Sequence, residues 1–157
     1  MDYKNTENWI LSRVPIFQNK GKVAYNPGLK NVSEFIKELN LPYNQLKFIH
    51  IGGTNGKGST SSYVSSILQE SGYKVGIFSS PHFYDFRERI KINNTKIEKS
   101  FIINFIKKNK KLIKRLGLSF FELSFGLCLD YFNKQKIDYA VIEVGLGGRL
   151  DATNIIN

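Results

Sequence analysis

The residues with the most chemistry to offer form one short run, Gly52-Gly53-Thr54-Asn55-Gly56-Lys57-Gly58-Ser59-Thr60. Glycines let a chain turn its N–H groups inward with no side chain in the way. A helix beginning near Gly58 would aim its positive end at the same point, and Lys57 adds a full charge. The run predicts a cradle for the phosphates of a nucleoside triphosphate, walled by Gly53, Thr54, Asn55, Gly56, Lys57, Gly58 and Ser59. It departs from the general phosphate-loop pattern. Ile51 stands where the first glycine belongs, and Gly58 where a Ser or Thr should follow the lysine. A GTPase or generic kinase is thereby disfavoured.

The second group is Asp138-Tyr139-Ala140-Val141-Ile142-Glu143-Val144, an apolar strand that delivers one acid near its end, followed by Gly145-Leu146-Gly147-Gly148. Ligands of a parallel sheet gather at the C-terminal strand ends, so Glu143 is expected on the same edge as Lys57. There it could hold Mg²⁺ directly or through water, or it could be an ion-paired or capping acid at a strand end. With the lysine loop beside it, the metal reading is preferred.

The elements that must hold these groups are read from periodicity. Strands are predicted at Phe48–Ile51, Lys74–Phe78 and Tyr139–Val144. A small hairpin is predicted from Arg89–Ile92 to Lys96–Glu98 across Asn93-Asn94. Helices are expected at Glu7–Arg13 and Asn31–Leu39, and at Ser59–Ser71 with Tyr63, Val64, Ile67 and Leu68 on one face. Two more are expected, one capped by Ser100 and running to Leu116, the other a buried helix over Phe121–Phe132. Strands alternating with helices predict a three-layer α/β/α fold of the P-loop type with a mostly parallel sheet.

With 157 residues, 41% of them apolar and 23% charged, the chain is predicted to be one globular domain. The single cysteine, Cys128, excludes an internal disulfide, fits a reducing cytoplasm, and sits among apolar residues as a buried thiol. No apolar run approaches a membrane span. The net charge is +10, and six of the cations fall between Lys107 and Arg115. That run reads first as a solvated helix face, second as an attraction for anionic small molecules. No interleaved aromatics or motif support nucleic-acid binding.

Taken together, the lysine loop and three further blocks resemble the folylpolyglutamate synthase and dihydrofolate synthase family, relatives of the Mur ligases. The blocks are Ser79-Ser80-Pro81-His82-Phe83 with Arg87-Glu88-Arg89-Ile90; Phe120-Phe121-Glu122; and Glu143-Val144-Gly145-Leu146-Gly147-Gly148-Arg149-Leu150-Asp151-Ala152-Thr153-Asn154. Pro15-Ile16-Phe17-Gln18, with Gly21 and Tyr25, is similar to the front of bacterial members. The resemblance implies an ATP-dependent ligase that activates a pterin-linked carboxylate as an acyl phosphate and joins it to the amine of glutamate. Its partners would be ATP, dihydropteroate or folate, and glutamate, its cofactor Mg²⁺, and its full-length form a monomer. Arg149-Leu150-Asp151-Ala152 is similar to the dihydropteroate-accepting type, which implies dihydrofolate synthase activity with polyglutamylation as well.

Carried over residue by residue, the resemblance gives Lys57 and Glu143 catalytic roles, and Ser80 with Glu143 the metal. Asn26, Pro27, Gly28 and Leu29 would line the pterin pocket, with Ser119, Phe120, Phe121 and Glu122, and Leu150, Asp151 and Ala152. Asn26-Pro27 departs from the acidic start of many dihydropteroate-binding members. Phe120 and Phe121 read equally well as plain core, Ser80 as a turn cap, and His82 as structural. Family members are more than twice as long, so residues 1–157 are expected to be a partial N-terminal, Mur ligase-like ATP-binding domain, without the C-terminal glutamate ligase domain and inactive alone. A Mur-type ligase with another acid and amine, and a non-catalytic ATP-binding remnant, are the alternatives.

Overall fold

The computed structural model describes residues 2–13 and 28–156. Pro15 to Gln18, Gly21, Tyr25, Asn26 and Pro27 lie outside them. In chain order the elements are helix α1 (Tyr3–Arg13), α2 (Lys30–Glu38), strand β1 (Lys47–Ile51), α3 (Lys57–Glu70), β2 (Val75–Phe78), β3 (Ile90–Ile92), β4 (Thr95–Lys96), α4 (Lys99–Leu116), α5 (Phe120–Gln135) and β5 (Tyr139–Glu143). Short 3₁₀ turns occupy Phe86–Arg89 and Ala152–Ile155.

The sheet runs β1-β5-β2-β3-β4. Its first three strands are parallel, with Ile51 opposite Glu143 and Phe78 opposite Ile142. β3 and β4 add an antiparallel hairpin at one edge. Asn93 and Asn94 make its turn at φ 45° and 63°, the left-handed pair that a two-residue hairpin requires. The expected three-layer fold with a mostly parallel sheet is what the chain adopts.

Alternation along the strands sorts the layers. Val75, Ile77 and Val141 face α3 and pack with Ile49, Ile51, Val64 and Leu68. Phe78, Ala140 and Ile142 face the other way, into the larger core built with Val32, Phe35, Ile102, Ile106 and most of α5. α5 is buried nearly all round because α2, α4 and the sheet all pack on it, as its apolar composition predicts. Cys128 lies in that core, and burial pushes its thiol up. Among the described residues no helix is long and apolar enough to cross a membrane.

Three predicted details are corrected. α1 starts at Tyr3 rather than Glu7, because the Asp2 carboxylate accepts from the Asn5 N–H at 2.8 Å and caps it. α4 starts at Lys99, so Ser100 lies inside it; buried Ile97 bonds back to the Ile90 carbonyl, and the chain turns into helix directly after Glu98. On α3 the inward face is Ser61, Val64, Ser65 and Leu68, whereas Tyr63 and Ile67 are 71% and 66% exposed. Small serines let this helix lie close on the sheet, which rotates the larger side chains outward.

The layering predicts unequal costs. Ile106→Ala, in the larger core, should lower stability by about 2–5 kcal/mol, while Ile67→Lys should change it by less than about 0.5 kcal/mol. Urea unfolding of the two variants checks both values.

Candidate functional site

β1 ends at Ile51, and five residues later Gly56 caps α3 at φ 77°. Only glycine takes that angle without strain. No described side chain caps the helix, and its first N–H groups have no intrahelical partner and can receive an anion. The Lys57 ammonium folds back to donate to the Gly53 carbonyl at 2.8 Å, drawing the loop into a closed ring. Thr54, Asn55 and Ser59 are exposed around it.

Glu143 reaches this loop from the neighbouring strand. Its alternation puts it on the α3 side of the sheet, and a Cβ on Gly58 would stand 3.7 Å from its Oε1. The Val144 N–H donates to the Ile51 carbonyl at 3.0 Å, which holds the two strand ends level. From the other side, just past β2, the Ser80 N–H donates to Glu143 Oε2 at 2.8 Å. Lys57, Ser80 and Glu143 therefore share one rim. Glu143 is 4% exposed, and among the described residues no Lys, Arg or His lies at ion-pair distance from it. A desolvated carboxylate without a cation is costly, so the site fits a metal ion. No group of three or more His, Cys, Asp or Glu converges anywhere among the described residues. A lone carboxylate with so few protein donors around it suits a divalent cation that keeps several waters.

The loop after Ser80 is braced from within. Asp85 caps the Phe86–Arg89 turn by accepting from the Arg87 N–H, and Glu88 returns to the Asp85 N–H. Asp85 also takes the Arg87 guanidinium at 2.7 Å. Burial pushes the Asp85 carboxyl up, but the hydrogen bonds from Arg87 outweigh it and hold the group at about 2. His82 Nδ1 accepts from Arg89 Nε at 2.8 Å. Burial, then the Arg89 charge, hold His82 below its ordinary value. His82 is thus an anchored neutral ring, in line with the structural reading. Arg89 itself is 3% exposed.

The glycine loop after β5 is closed by Asp151. Its Oδ2 accepts from the Leu146 N–H at 2.8 Å, and its Oδ1 accepts from the N–H and hydroxyl of Thr153. The Thr153 oxygen in turn meets His50 Nε2 on β1 at 2.8 Å. Gly145 permits this fold-back, because a Cβ there would stand 2.6 Å from Phe121 Cζ. The Ala152–Ile155 turn touches both α2 and α5.

The residues expected to line a pterin pocket are gathered from three places, with unequal freedom. Leu29 caps α2 and packs on the core, and Gly28 precedes it; Asn26 and Pro27 lie outside the described residues. Ser119 and Glu122 form a capping box at the start of α5. Glu122 is buried, its Oε1 has no partner among the described residues, and burial raises its carboxyl. Phe120 is buried under Arg89, Phe86 and His82. Phe121 is half-buried against Phe78. Leu150 is exposed, Ala152 is buried, and the Asp151 carboxylate is engaged within its own loop.

Two features escaped the sequence reading. The Asp85-to-Glu88 capping box carries a recognisable spacing. The His50–Thr153 link joins residues 103 apart, and no local pattern announces it.

No family model matches the chain. A probable bifunctional folylpolyglutamate synthase/dihydropteroate synthase of Haloferax volcanii is 40% identical over 162 residues, covering 100% of the chain and 18% of that protein. The dihydrofolate synthase/folylpolyglutamate synthase of Bacillus subtilis is 34% identical over 161 residues, 98% of the chain and 36% of that protein. The crystal structure of folylpolyglutamate synthase from Thermotoga maritima superposes with a TM-score of 0.85 at 37% identity, covering 99% of the chain and 36% of that structure. A bifunctional folylpolyglutamate synthase/dihydrofolate synthase with Mn, AMPPNP and L-glutamate bound gives 0.78 at 34% identity, over 84% of the chain and 32% of that structure. The chain spans 18% to 36% of the length of these proteins.

Two outcomes follow from the braces. Asp85 titrates lower in the fold than in the unfolded chain. Its contribution is therefore complete above about pH 4 and lost as the pH falls towards 2. Asp85→Asn should flatten that part of the acid-unfolding curve followed by circular dichroism. Asp151→Ala strands two N–H groups and a hydroxyl, and should cost about 2–4 kcal/mol in urea unfolding.

Proposed function

Since the chain belongs to the folylpolyglutamate synthase/dihydrofolate synthase family, of whose members it spans one segment, we propose that it supplies the nucleotide- and metal-binding part of an ATP-dependent ligase. The reaction is the joining of glutamate to a pterin-linked carboxylate, with dihydropteroate as first acceptor and folate as a further one. The observation that carries this reading is the placement of the buried Glu143 carboxylate against the first turn of α3, next to Gly58 and on the rim that Lys57 closes.

In this reading the open N–H groups at the start of α3 receive the ATP phosphates. Lys57 exchanges the Gly53 carbonyl for a γ-phosphate oxygen, bringing its charge to where negative charge grows during transfer. Glu143 and Ser80 would hold Mg²⁺, whose charge would offset that of the phosphates. The Ser80 N–H fixes the Glu143 carboxylate so that Oε1 faces the phosphate side. An oxygen of the acid substrate attacks the γ-phosphorus in line and ADP departs, leaving an acyl phosphate. The amine of glutamate then attacks the acyl carbon, phosphate leaves with the bonding electron pair, and the amine loses its proton to give the amide. The Ser119–Glu122 start of α5, Leu29 and the Leu150–Ala152 segment are the proposed wall for the pterin. The buried, unpaired Cys128 is in keeping with the cytoplasmic setting we propose.

Calorimetric titration of the 157-residue chain tests the reading. It should bind MgATP, and Lys57→Ala should weaken binding tenfold or more, about 1.4 kcal/mol. Chelating the divalent ion should weaken ATP binding in the native chain and have less effect in Glu143→Gln. With dihydropteroate and glutamate added, the chain alone should release no phosphate. Failure of the native chain to bind MgATP would overturn the proposal.

A further inference from the structure

Apart from Glu122 and Asp151, whose carboxylates are held by cap and loop hydrogen bonds, two buried charges lack an ion-pair partner among the described residues, and the metal reading accounts for only one. Glu143 is the first. The second is Arg89, whose one hydrogen bond to a described side chain runs from Nε to His82. Its guanidinium lies 4.9 Å over the Phe120 ring. Burial brings its pKa down to about 10, against the opposing pull of the Glu143 charge. The nearby acids are committed elsewhere. Asp85 takes the Arg87 fork, and Glu88 accepts from the Phe83 and Asp85 N–H groups and faces Lys96. The more exposed arginine is thus paired and the buried one is not. Stability alone would select the reverse.

The position of Arg89 is fixed closely. Its carbonyl accepts from the Ser79 N–H at 3.0 Å, one residue before Ser80. The aromatic face and the histidine nitrogen hold the guanidinium plane. No hydrogen bond joins the Nη end to a described residue, although the side chain is buried. A planar fork held at one end and unpaired at the other among the described residues suits a carboxylate or a phosphoryl group.

We propose that Arg89 is an oxyanion-binding residue of this rim, its Nη end receiving a carboxylate or phosphoryl group beside Ser80 and Glu143. That the ligand is the acid substrate or its phosphorylated form rests on the ligase reading; the existence of an oxyanion site does not.

Thermal unfolding of the 157-residue chain tests it, in chloride against phosphate and, separately, with pteroate, all at matched ionic strength. Lys57→Ala serves as background, so that the glycine loop contributes no lysine. Phosphate or pteroate should raise the midpoint by roughly 2–4 °C. Adding Arg89→Met should remove that rise, each midpoint being compared with the same variant's own midpoint in chloride. Arg89→Lys, which keeps the charge without the fork, should retain less than half of the rise. A response to phosphate alone assigns the phosphoryl group, a response to pteroate alone assigns the substrate carboxylate, and a response to both supports one shared site. No rise with either ligand, or a rise that survives Arg89→Met, would overturn the proposal. MgATP titration separates the two readings. An Arg89-dependent rise without MgATP binding removes the nucleotide reading alone. Normal MgATP binding without that rise removes the oxyanion site alone.

Discussion

The buried carboxylate of Glu143 is the constraint around which this edge of the molecule is organised. It sits at the end of β5, the middle one of the three parallel strands, where the side chain is largely shielded from water. Such a group must be satisfied by what the fold supplies. One oxygen is satisfied by the Ser80 N–H. The other faces the first turn of α3, where the residue after the lysine has no side chain. A side chain at position 58 would lie in ordinary contact with that carboxylate, where the common phosphate-loop pattern brings a hydroxyl.

Each loop around that carboxylate is held by its own short network rather than by the sheet. Asp85 and Glu88 close the segment after Ser80. Asp151 closes the glycine loop onto its own N–H groups, and His50 ties it to the strand that feeds the lysine loop. Groups fixed in this way need little reordering when a ligand arrives, which is how a polar site is pre-organised. The same bracing explains why Asp151 and Phe120, both drawn to a pterin wall by family resemblance, have their side chains occupied inside the protein.

Much of the architecture was legible because local patterns and packing agree. The alternating strands, the Asn93-Asn94 turn and the all-round apolar α5 each fold as their residues suggest. In two of the three corrected details a short polar side chain was responsible. Asp2 starts α1 earlier than its apolar pattern does. On α3, Ser61 and Ser65 take the inward positions that size alone would give to Tyr63 and Ile67. A helix close to a sheet favours small residues at the contact, and hydropathy does not register that.

From residue types and spacing alone came the glycine-and-lysine loop before α3, the acid at the end of β5, the parallel sheet and the family likeness, since these depend on backbone freedom, periodicity and chain order. Only the tertiary structure could decide that Glu143 stands beside Gly58, that Ser80 is its donor, that Arg87 is paired while Arg89 is buried without a carboxylate, and that His50 meets Thr153. Those relations depend on register between strands distant in sequence and on which side chains lose water when the layers close. Neither quantity is written in any local stretch of the chain.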